Sequence, residues 1–192
     1  MGDFWSSPDL EPKRQFRFMV SMEIDGEELN YAVRSADRPS YTIGETEHRF
    51  FNHTFYYPGR MTWNTITLTF VDSVDPGAGE KLYNYLAAVG INNPSTPAAA
   101  INTTITKKSA VTSLGDVRIR ELGSGIAGNA ARTAVLGEWS LLNPFITEVN
   151  FGSHSYDSDD MVEISVTLRY DWANYTVPRD GDTRFTAPGN GA

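Results

Sequence analysis

Apolar and polar residues alternate strictly over long stretches of this chain, which limits the folds that it can adopt. The alternation is longest near the C-terminal end, where every second residue from Val162 to Trp172 is apolar and polar residues such as Glu163 and Arg169 stand between them. Successive side chains of a β-strand point to opposite faces, so a period of two predicts a strand with one buried face. The same pattern recurs over residues 16–24 and 65–70, and it predicts a mainly β chain.

Turn signals divide much of the remaining sequence into further strands. Asp25-Gly26 predicts a hairpin, and its return strand would carry Leu29, Tyr31 and Val33. Other strands are predicted around residues 117–119 and at 136–142 and 145–151.

One helix is predicted between residues 75 and 90. Asp75 is placed to cap its start and Gly90 to end it. The regular part is predicted from about Glu80, because glycines weaken the first turn. Four apolar residues at helical spacing give it a single stripe: Leu82, Tyr85, Leu86 and Val89.

These elements together predict one antiparallel β domain over residues 13–172, with the helix on its flank. Residues 1–12 show no periodicity and carry two prolines, so they are predicted to form an N-terminal arm. Residues 173–192, which contain Pro178, Gly181 and Pro188, are predicted to be a C-terminal extension. Residues 91–105 are predicted to be a loop rich in Pro, Ala and Thr.

Composition excludes several classes of protein. The net charge of −8 is evidence against a nucleic-acid-binding protein, since phosphate binding depends on clustered Lys and Arg. The chain has no cysteine, which excludes disulfides, thiol catalysis and thiolate metal sites. No apolar run approaches the ~20 residues of a membrane helix, so stable membrane binding is not expected.

No motif predicts a catalytic, metal or cofactor site. Residues 123–128 spell G-x-G-x-x-G, but Gly137 follows too soon for the helix of a dinucleotide-binding crossover, so a loop is predicted. Asp157, Asp159 and Asp160 form an acidic turn without the Gly and distal Glu of a calcium loop. The three histidines lack the spacing of a catalytic zinc site.

Residues 50–57 hold a dense group of aromatic side chains, namely Phe50, Phe51, Phe55, Tyr56 and Tyr57. Acidic residues flank the group and oppose base stacking on a nucleic acid. We predict that these side chains pack in a core or at a contact between subunits. Antiparallel sheets with polar outer faces and long terminal segments are suited to pairing with further copies of the same chain, so the five aromatic residues and both terminal segments are the candidates for such contacts.

Several segments follow one another in a distinctive order along residues 13–172. A strand containing Trp139 is followed by a polar turn, a strand ending at Gly152, an acidic turn and a last strand that closes on Tyr170-Asp171-Trp172. In this order, and in the segments before them, the chain resembles the tail tube proteins of contractile-tailed bacteriophages, whose fold is shared with the type VI secretion tube protein. The earlier matching segments are residues 14–18, 35–39, 57–63 and 66–70.

The resemblance implies two packed antiparallel sheets that form a partly closed barrel with one flanking α-helix. It further implies a structural virion protein without enzymatic activity or cofactor, in which six copies close into a ring and rings stack into the inner tail tube. The implied partners are further copies, the tail sheath, the baseplate or tube initiator, the tape measure and the tail terminator, and DNA passes only transiently. The location would be the bacteriophage tail, after assembly in the host cytoplasm.

Elementary geometry is compatible with such a conduit. If each of six subunits lends about four strands, a spacing of ~4.8 Å and a tilt near 40° give a perimeter of roughly 150 Å. The bore is then somewhat under about 40 Å, wider than a DNA duplex of roughly 20 Å. The polar strand faces that carry Glu23, Thr65, Thr67 and Thr69 are the candidates for the lumen.

Two alternatives stay open. The longer segment after Trp172 and the extended loop at residues 92–100 depart from the resemblance, so a baseplate tube initiator or a terminator of the same fold is the first alternative. The second is a small-ligand-binding β-barrel protein that uses the loop beginning at Gly123.

Overall fold

The computed structural model describes residues 12–24, 27–28, 33–74, 77–91, 105–123, 135–157 and 159–177. Antiparallel strands dominate these ranges, and two helices lie between them. The helices are α1 (Ala78–Val89) and α2 (Lys107–Leu114). The strands are β1 (Phe18–Ile24), β2 (Glu27–Glu28), β3 (Val33–Ala36), β4 (Tyr41–Phe50), β5 (His53–Trp63), β6 (Ile66–Val71), β7 (Val117–Leu122), β8 (Val135–Leu142), β9 (Phe145–Asn150), β10 (Glu163–Arg169) and β11 (Trp172–Thr176).

The strands form two larger sheets and one long hairpin. The five-stranded sheet has the order β11-β8-β7-β1-β2, and the four-stranded sheet has the order β3-β6-β10-β9. Strands β4 and β5 pair with each other and, in the described residues, with no other strand. No sheet formed by the described residues closes on itself, so the predicted partly closed barrel is not confirmed.

The two larger sheets pack their apolar faces into one core. In the four-stranded sheet, Leu68 of β6 lies opposite Val166 of β10, and both are fully buried. In the five-stranded sheet, Val20 of β1 lies opposite Ile119 of β7, and both are buried. Burial of each such side chain contributes about 1.5–3 kcal/mol. Strands β1, β6 and β10 are therefore confirmed as predicted from alternation, although β1 begins at Phe18 and Phe16 before it is exposed.

Helix α1 covers part of this core and has a different start from the predicted one. Gly77, not Asp75, occupies the N-cap position, and the carboxylate of Asp72 accepts a hydrogen bond of 3.1 Å from the Gly79 amide. The helix therefore begins two residues before Glu80. Gly90 ends it in the left-handed conformation with φ of 108°. Leu82 and Val89 are buried as predicted, whereas Leu86 is exposed.

Helix α2 corrects the prediction of a single helix. Thr106 caps it with a capping box, in which the Thr106 hydroxyl accepts from the Ser109 amide and the Ser109 hydroxyl accepts from the Thr106 amide. Ala110 and Leu114 are its buried residues. Two buried residues in eight give a weak periodic signal, which is why apolar spacing alone did not indicate this helix. The buried Tyr85 hydroxyl donates a 3.2 Å hydrogen bond to the Ala110 carbonyl and joins the two helices.

The return strand predicted after Asp25-Gly26 is described only in part. Its residues Glu27–Glu28 form β2, which pairs with β1, whereas β3 pairs with β6 in the other sheet. Val33 therefore belongs to the four-stranded sheet. Leu29 and Tyr31 lie outside the described residues.

The last predicted strand divides into two. Strand β10 ends at Arg169, and after a corner at Tyr170-Asp171 the chain enters β11 in the five-stranded sheet. Trp172 is half exposed rather than buried with the preceding apolar residues. Residues 173–176, placed in the C-terminal extension by the sequence, are part of β11. Residues 1–11 and 178–192 lie outside the described residues.

Candidate assembly surface

The β4–β5 hairpin is exposed along almost its whole length. Its strands have ten and eleven residues and extend about 34 Å at ~3.4 Å per residue. Every residue of β4 is exposed, as is every residue of β5 before Trp63. The five predicted contact residues, Phe50, Phe51, Phe55, Tyr56 and Tyr57, lie at its tip and are all exposed.

The pairing register divides the hairpin into two chemically different faces. His48 lies opposite Phe55, Thr46 opposite Tyr57, and Phe50 opposite His53, so these residues share one face. Glu47 lies opposite Tyr56 and Arg49 opposite Thr54 on the other face. The Arg49 guanidinium donates a 2.8 Å hydrogen bond to the Glu47 carboxylate there. Near its tip the hairpin therefore has an aromatic face and a charged face. Phe50, Phe55 and Tyr57 lie together on the aromatic face, whereas Tyr56 lies on the charged face.

A second group of exposed apolar residues lies nearer the body of the molecule. Ile43 lies opposite Met61 and Tyr41 opposite Trp63, beyond a bulge at which two residues of β5, Gly59 and Arg60, stand against Gly44 of β4. Because β4 itself alternates without interruption, Tyr41 and Ile43 share the face of Glu47 and not that of Phe50. Sequence reasoning missed Tyr41, Ile43 and Met61, although alternation with Thr42 and Thr62 was a readable signal. We refer to Phe50, Phe55 and Tyr57 as the aromatic face.

Two local features give the hairpin its shape. A Cβ atom on Gly59 would lie 3.0 Å from the Gly44 carbonyl oxygen, so the close approach of the strands at the bulge requires glycine. In the two-residue turn, Phe51 has a positive φ of 53°, which is uncommon for a bulky side chain. Its ring packs edge-on against Phe50 with centroids 4.5 Å apart.

Hydrogen bonds and ring contacts fix the base of the hairpin to the sandwich. Asn64 donates through its backbone amide to the Ser40 carbonyl at 2.9 Å, which ties the strand ends together. The Trp63 ring lies 5.6 Å from Tyr41 and 6.0 Å from Tyr170. A pocket of about 640 Å³ opens beside it, and its lining includes Met61, Trp63 and Phe145. The exposed group of Tyr41, Ile43 and Met61 therefore adjoins a partly apolar pocket of the body.

The corner at Tyr170-Asp171 supports this pocket from the other side. The Asp171 carboxylate accepts hydrogen bonds from Lys107 of α2 and, at 2.9 Å, from Asn143. The hydrogen bond from Lys107 first, and then that from Asn143, lowers the pKa of Asp171 from its ordinary value. Burial raises the pKa of Tyr170 and of Tyr85, so both hydroxyls stay neutral near pH 7.

The predicted lumen residues lie on two different surfaces. Thr67 and Thr69 face away from the core on β6, opposite Thr167 and Ser165 of β10, and they belong to one polar surface. Thr65 is exposed just before that strand. Glu23 is exposed on β1 of the other sheet. Since the inner faces of the two sheets pack together, the structure does not bring Glu23 together with the threonines.

The described residues show neither a metal cluster nor a membrane span. Within those ranges, no group of three or more His, Asp or Glu side chains could hold a metal ion. Neither α1 nor α2, the helices of the described part, is long and apolar enough to cross a membrane. Of the glycine-rich loop considered in the sequence, residues 124–128 lie outside the described ranges.

Comparison with known proteins gives similarity at the level of structure. No family model and no curated protein matches the sequence. A chain of the cryo-EM structure of the PVC extracellular contractile injection system, sheath/tube terminator in the extended state, has a TM-score of 0.61 and 20% identity, covering 87% of this chain and 98% of its own. A chain of the anti-feeding prophage tube-terminating cap has a TM-score of 0.60 and 20% identity, covering 93% and 100%.

A third similar structure is a chain of the PVC sheath-tube complex in the extended state. Its TM-score is 0.58 at 21% identity, with 87% of this chain and 93% of the other covered. The fold is that of the tube-related proteins of contractile injection systems. The matched region covers 93–100% of these three chains, so the resemblance found in the sequence is confirmed at the level of the fold, although the implied partly closed barrel is not.

Proposed function

We propose that this protein is a structural subunit of the inner tube of a contractile tail or injection system and that it has no enzymatic activity. Six copies form a ring, and stacked rings form the tube. Within a ring, neighbouring sheets join at their free edges and complete the barrel that the single chain leaves open. The support is the tube-type fold together with the exposed apolar residues of the β4–β5 hairpin.

The aromatic face is the observation that carries this proposal. A two-stranded hairpin is marginally stable by itself in water, and a group of large exposed apolar side chains marks an interaction site. Phe50, Phe55 and Tyr57 on the aromatic face, and Tyr41, Ile43 and Met61 on the other face, remain exposed in the described chain. A second copy that covers them would supply the burial that the single chain lacks.

In a tube through which DNA passes, a polar surface of each subunit faces the bore. The Thr67 and Thr69 surface and the Glu23 surface are the two candidates, and only one of them faces the lumen because they lie on different sheets. A bore lined by uncharged hydroxyls or by carboxylates would not retain a passing DNA duplex. On this proposal the sheath surrounds the tube, the baseplate initiator and the terminator lie at its ends, and the tape measure occupies its bore. The particle is a phage tail or a related injection system assembled in the host cytoplasm.

The test compares two adjacent tyrosines that point to opposite faces. Tyr57→Ser removes a ring from the aromatic face, while Tyr56→Ser removes an equally exposed ring from the charged face and is the matched control. We expect the wild-type chain and Tyr56→Ser to form rings and cylinders in negative-stain images over a concentration series. Tyr57→Ser should require about tenfold more protein, as expected for a loss of ~1.4 kcal/mol per contact. Equal assembly of both variants would contradict the role of this face.

A second candidate function is supported by the structural comparisons. Two of the similar chains belong to terminator or cap assemblies, so a subunit that ends or starts a tube fits the same fold. A main tube subunit should form long cylinders by itself at high concentration. A terminator or initiator should stop at single rings or short stacks, and the same imaging series distinguishes the two.

A further inference from the structure

A groove of about 570 Å³ opens at the end of the sandwich where β1 begins. Its lining combines residues before and within β1, residues around the end of β3 and residues of β7. Two of the lining residues, Asp37 and Glu121, are acidic, and five are cationic: Lys13, Arg14, Arg17, Arg34 and Arg38. This is a local excess of positive charge in a chain whose net charge is −8.

The buried carboxylate of Glu121 fixes the geometry of this groove. It forms ion pairs with Lys13 and with Arg38. It also accepts a 3.1 Å hydrogen bond from the Tyr175 hydroxyl. Tyr175 lies across Gly137, where an added Cβ would collide with the ring. Two groove cations are thereby held in place by a side chain on the inner face of β7.

The groove cations still have surface available for a second partner. The side chains of Lys13, Arg34 and Arg38 are 49%, 57% and 64% exposed although each forms an ion pair. A guanidinium has five N–H donors, and one carboxylate can accept at most two of them in the bidentate arrangement. Phe16 at the rim is 75% exposed, and Leu136 also lines the groove. An acidic segment with aromatic residues fits this chemistry.

The sequence contains such a segment directly before the groove. Residues 1–11 carry Asp3, Asp9 and Glu11 without a single Lys or Arg, together with the aromatic pair Phe4-Trp5. We propose that the basic groove of one copy binds residues 1–11 of a neighbouring copy. The proposal rests on the assembly proposed above and assigns the receiving surface for the N-terminal segment.

Chain length favours a neighbour over the segment's own groove. Trp5 precedes Lys13 by eight residues, which span up to about 27 Å when extended. A volume of 570 Å³ corresponds to a cube with an edge of about 8 Å. This length is sufficient for the segment to extend beyond its own groove and reach the groove of an adjacent subunit.

The experiment uses charge reversal in the full chain. One variant, D3K/D9K, makes the segment basic, and another, R14E/R17E, makes the groove acidic. A chain with all four substitutions has the wild-type net charge and restored complementarity. D157K/D159K, in an exposed turn, is the control for the charge change of the first variant. Thermal unfolding checks that each variant folds, and R14Q/R17Q replaces the groove variant if it does not.

Sedimentation velocity and negative-stain imaging give the concentration at which half of the protein is assembled. When each variant is tested separately, we expect D3K/D9K and R14E/R17E to raise this half-assembly concentration at least tenfold, because like charges then meet across the contact. An equimolar mixture of the two should assemble within about threefold of wild type, since each supplies the complement of the other. The four-substitution chain should also assemble, and D157K/D159K should be unaffected.

Three results would overturn the proposal. If both variants assemble as well as wild type, the groove does not bind the segment, while the proposed function stands. If the four-substitution chain is restored but the mixture is not, the segment binds its own groove. A wild-type chain that remains monomeric at every concentration would overturn the proposed function itself, and with it this contact.

Discussion

The sandwich body and the β4–β5 hairpin have the same alternation of apolar and polar residues, but the apolar residues are buried in the body and exposed in the hairpin. In β6 and β10 every apolar residue of the alternating run is buried, as for Phe70 and Ile164. In β5 the alternating Phe55, Tyr57 and Met61 remain exposed. Alternation therefore predicts a strand with one face to be covered, but it does not predict which molecule covers that face.

The largest expected effect comes from a substitution in the body. Phe70→Ala removes a fully buried ring from β6 and should lower the free energy of unfolding by about 3–5 kcal/mol. The equivalent Phe55→Ala in the hairpin should change it by less than about 0.5 kcal/mol, because that ring is already half exposed. Urea unfolding of the unassembled protein measures both, and equal losses would remove the contrast between the two regions.

A smaller effect is expected where β8 meets β11. Gly137→Ala adds a methyl group where the Tyr175 ring lies. The ring must move away from Glu121, and we expect a loss of about 1–3 kcal/mol in the free energy of unfolding. Gly137→Ala combined with Tyr175→Ala should be less destabilising than the sum of the single changes, and a thermodynamic cycle tests this coupling.

Two substitutions in the turn of the hairpin are expected to differ in stability. Phe51 has a positive φ that glycine accepts and a β-branched residue resists. Phe51→Gly should therefore be more stable than Phe51→Val by about 1 kcal/mol. At the same time Phe51→Gly shortens the aromatic tip, so its assembly should be no better than that of wild type. Thermal unfolding and the imaging series measure the two properties separately.

The smallest expected effect concerns pH and Asp171. Its pKa in the folded chain is lowered by hydrogen bonds from Lys107 and Asn143. A lowered folded pKa stabilises the fold above the ordinary value near 3.8, and this stabilisation is lost as the pH falls through the lowered pKa. Asp171→Asn should therefore be slightly less stable than wild type at pH 7, and the difference should shrink below about pH 4. Because the pair is largely exposed, we expect a small change in the midpoint of thermal unfolding.

Much of the fold could be predicted from the sequence, and the exceptions have physical causes. The alternation at residues 65–70 and 162–168 identified the central strands, because a buried face imposes a period of two. Helix α2 was missed because tertiary contacts with α1 and β9, more than its own periodicity, stabilise it. The crossover from β2 to β3 was missed because alternation does not reveal which sheet a strand joins.

The candidate assembly surface shows the same division. The sequence identified the aromatic residues at 50–57, but only the register separates Tyr56 from Tyr57 and places Tyr41 and Met61 on the face opposite to Tyr57. The sequence shows only part of the basic groove, in the cluster Lys13, Arg14 and Arg17, because Arg38 and Glu121 are far from it along the chain.

The sequence by itself determined that the chain forms antiparallel strands with one apolar face each, because that information lies in neighbouring residues. Only the tertiary structure decided which strands share a sheet, which apolar face stays uncovered and where the cations gather. Those properties depend on contacts between distant segments, whose formation is set by the packing of the whole domain rather than by any local run of residues.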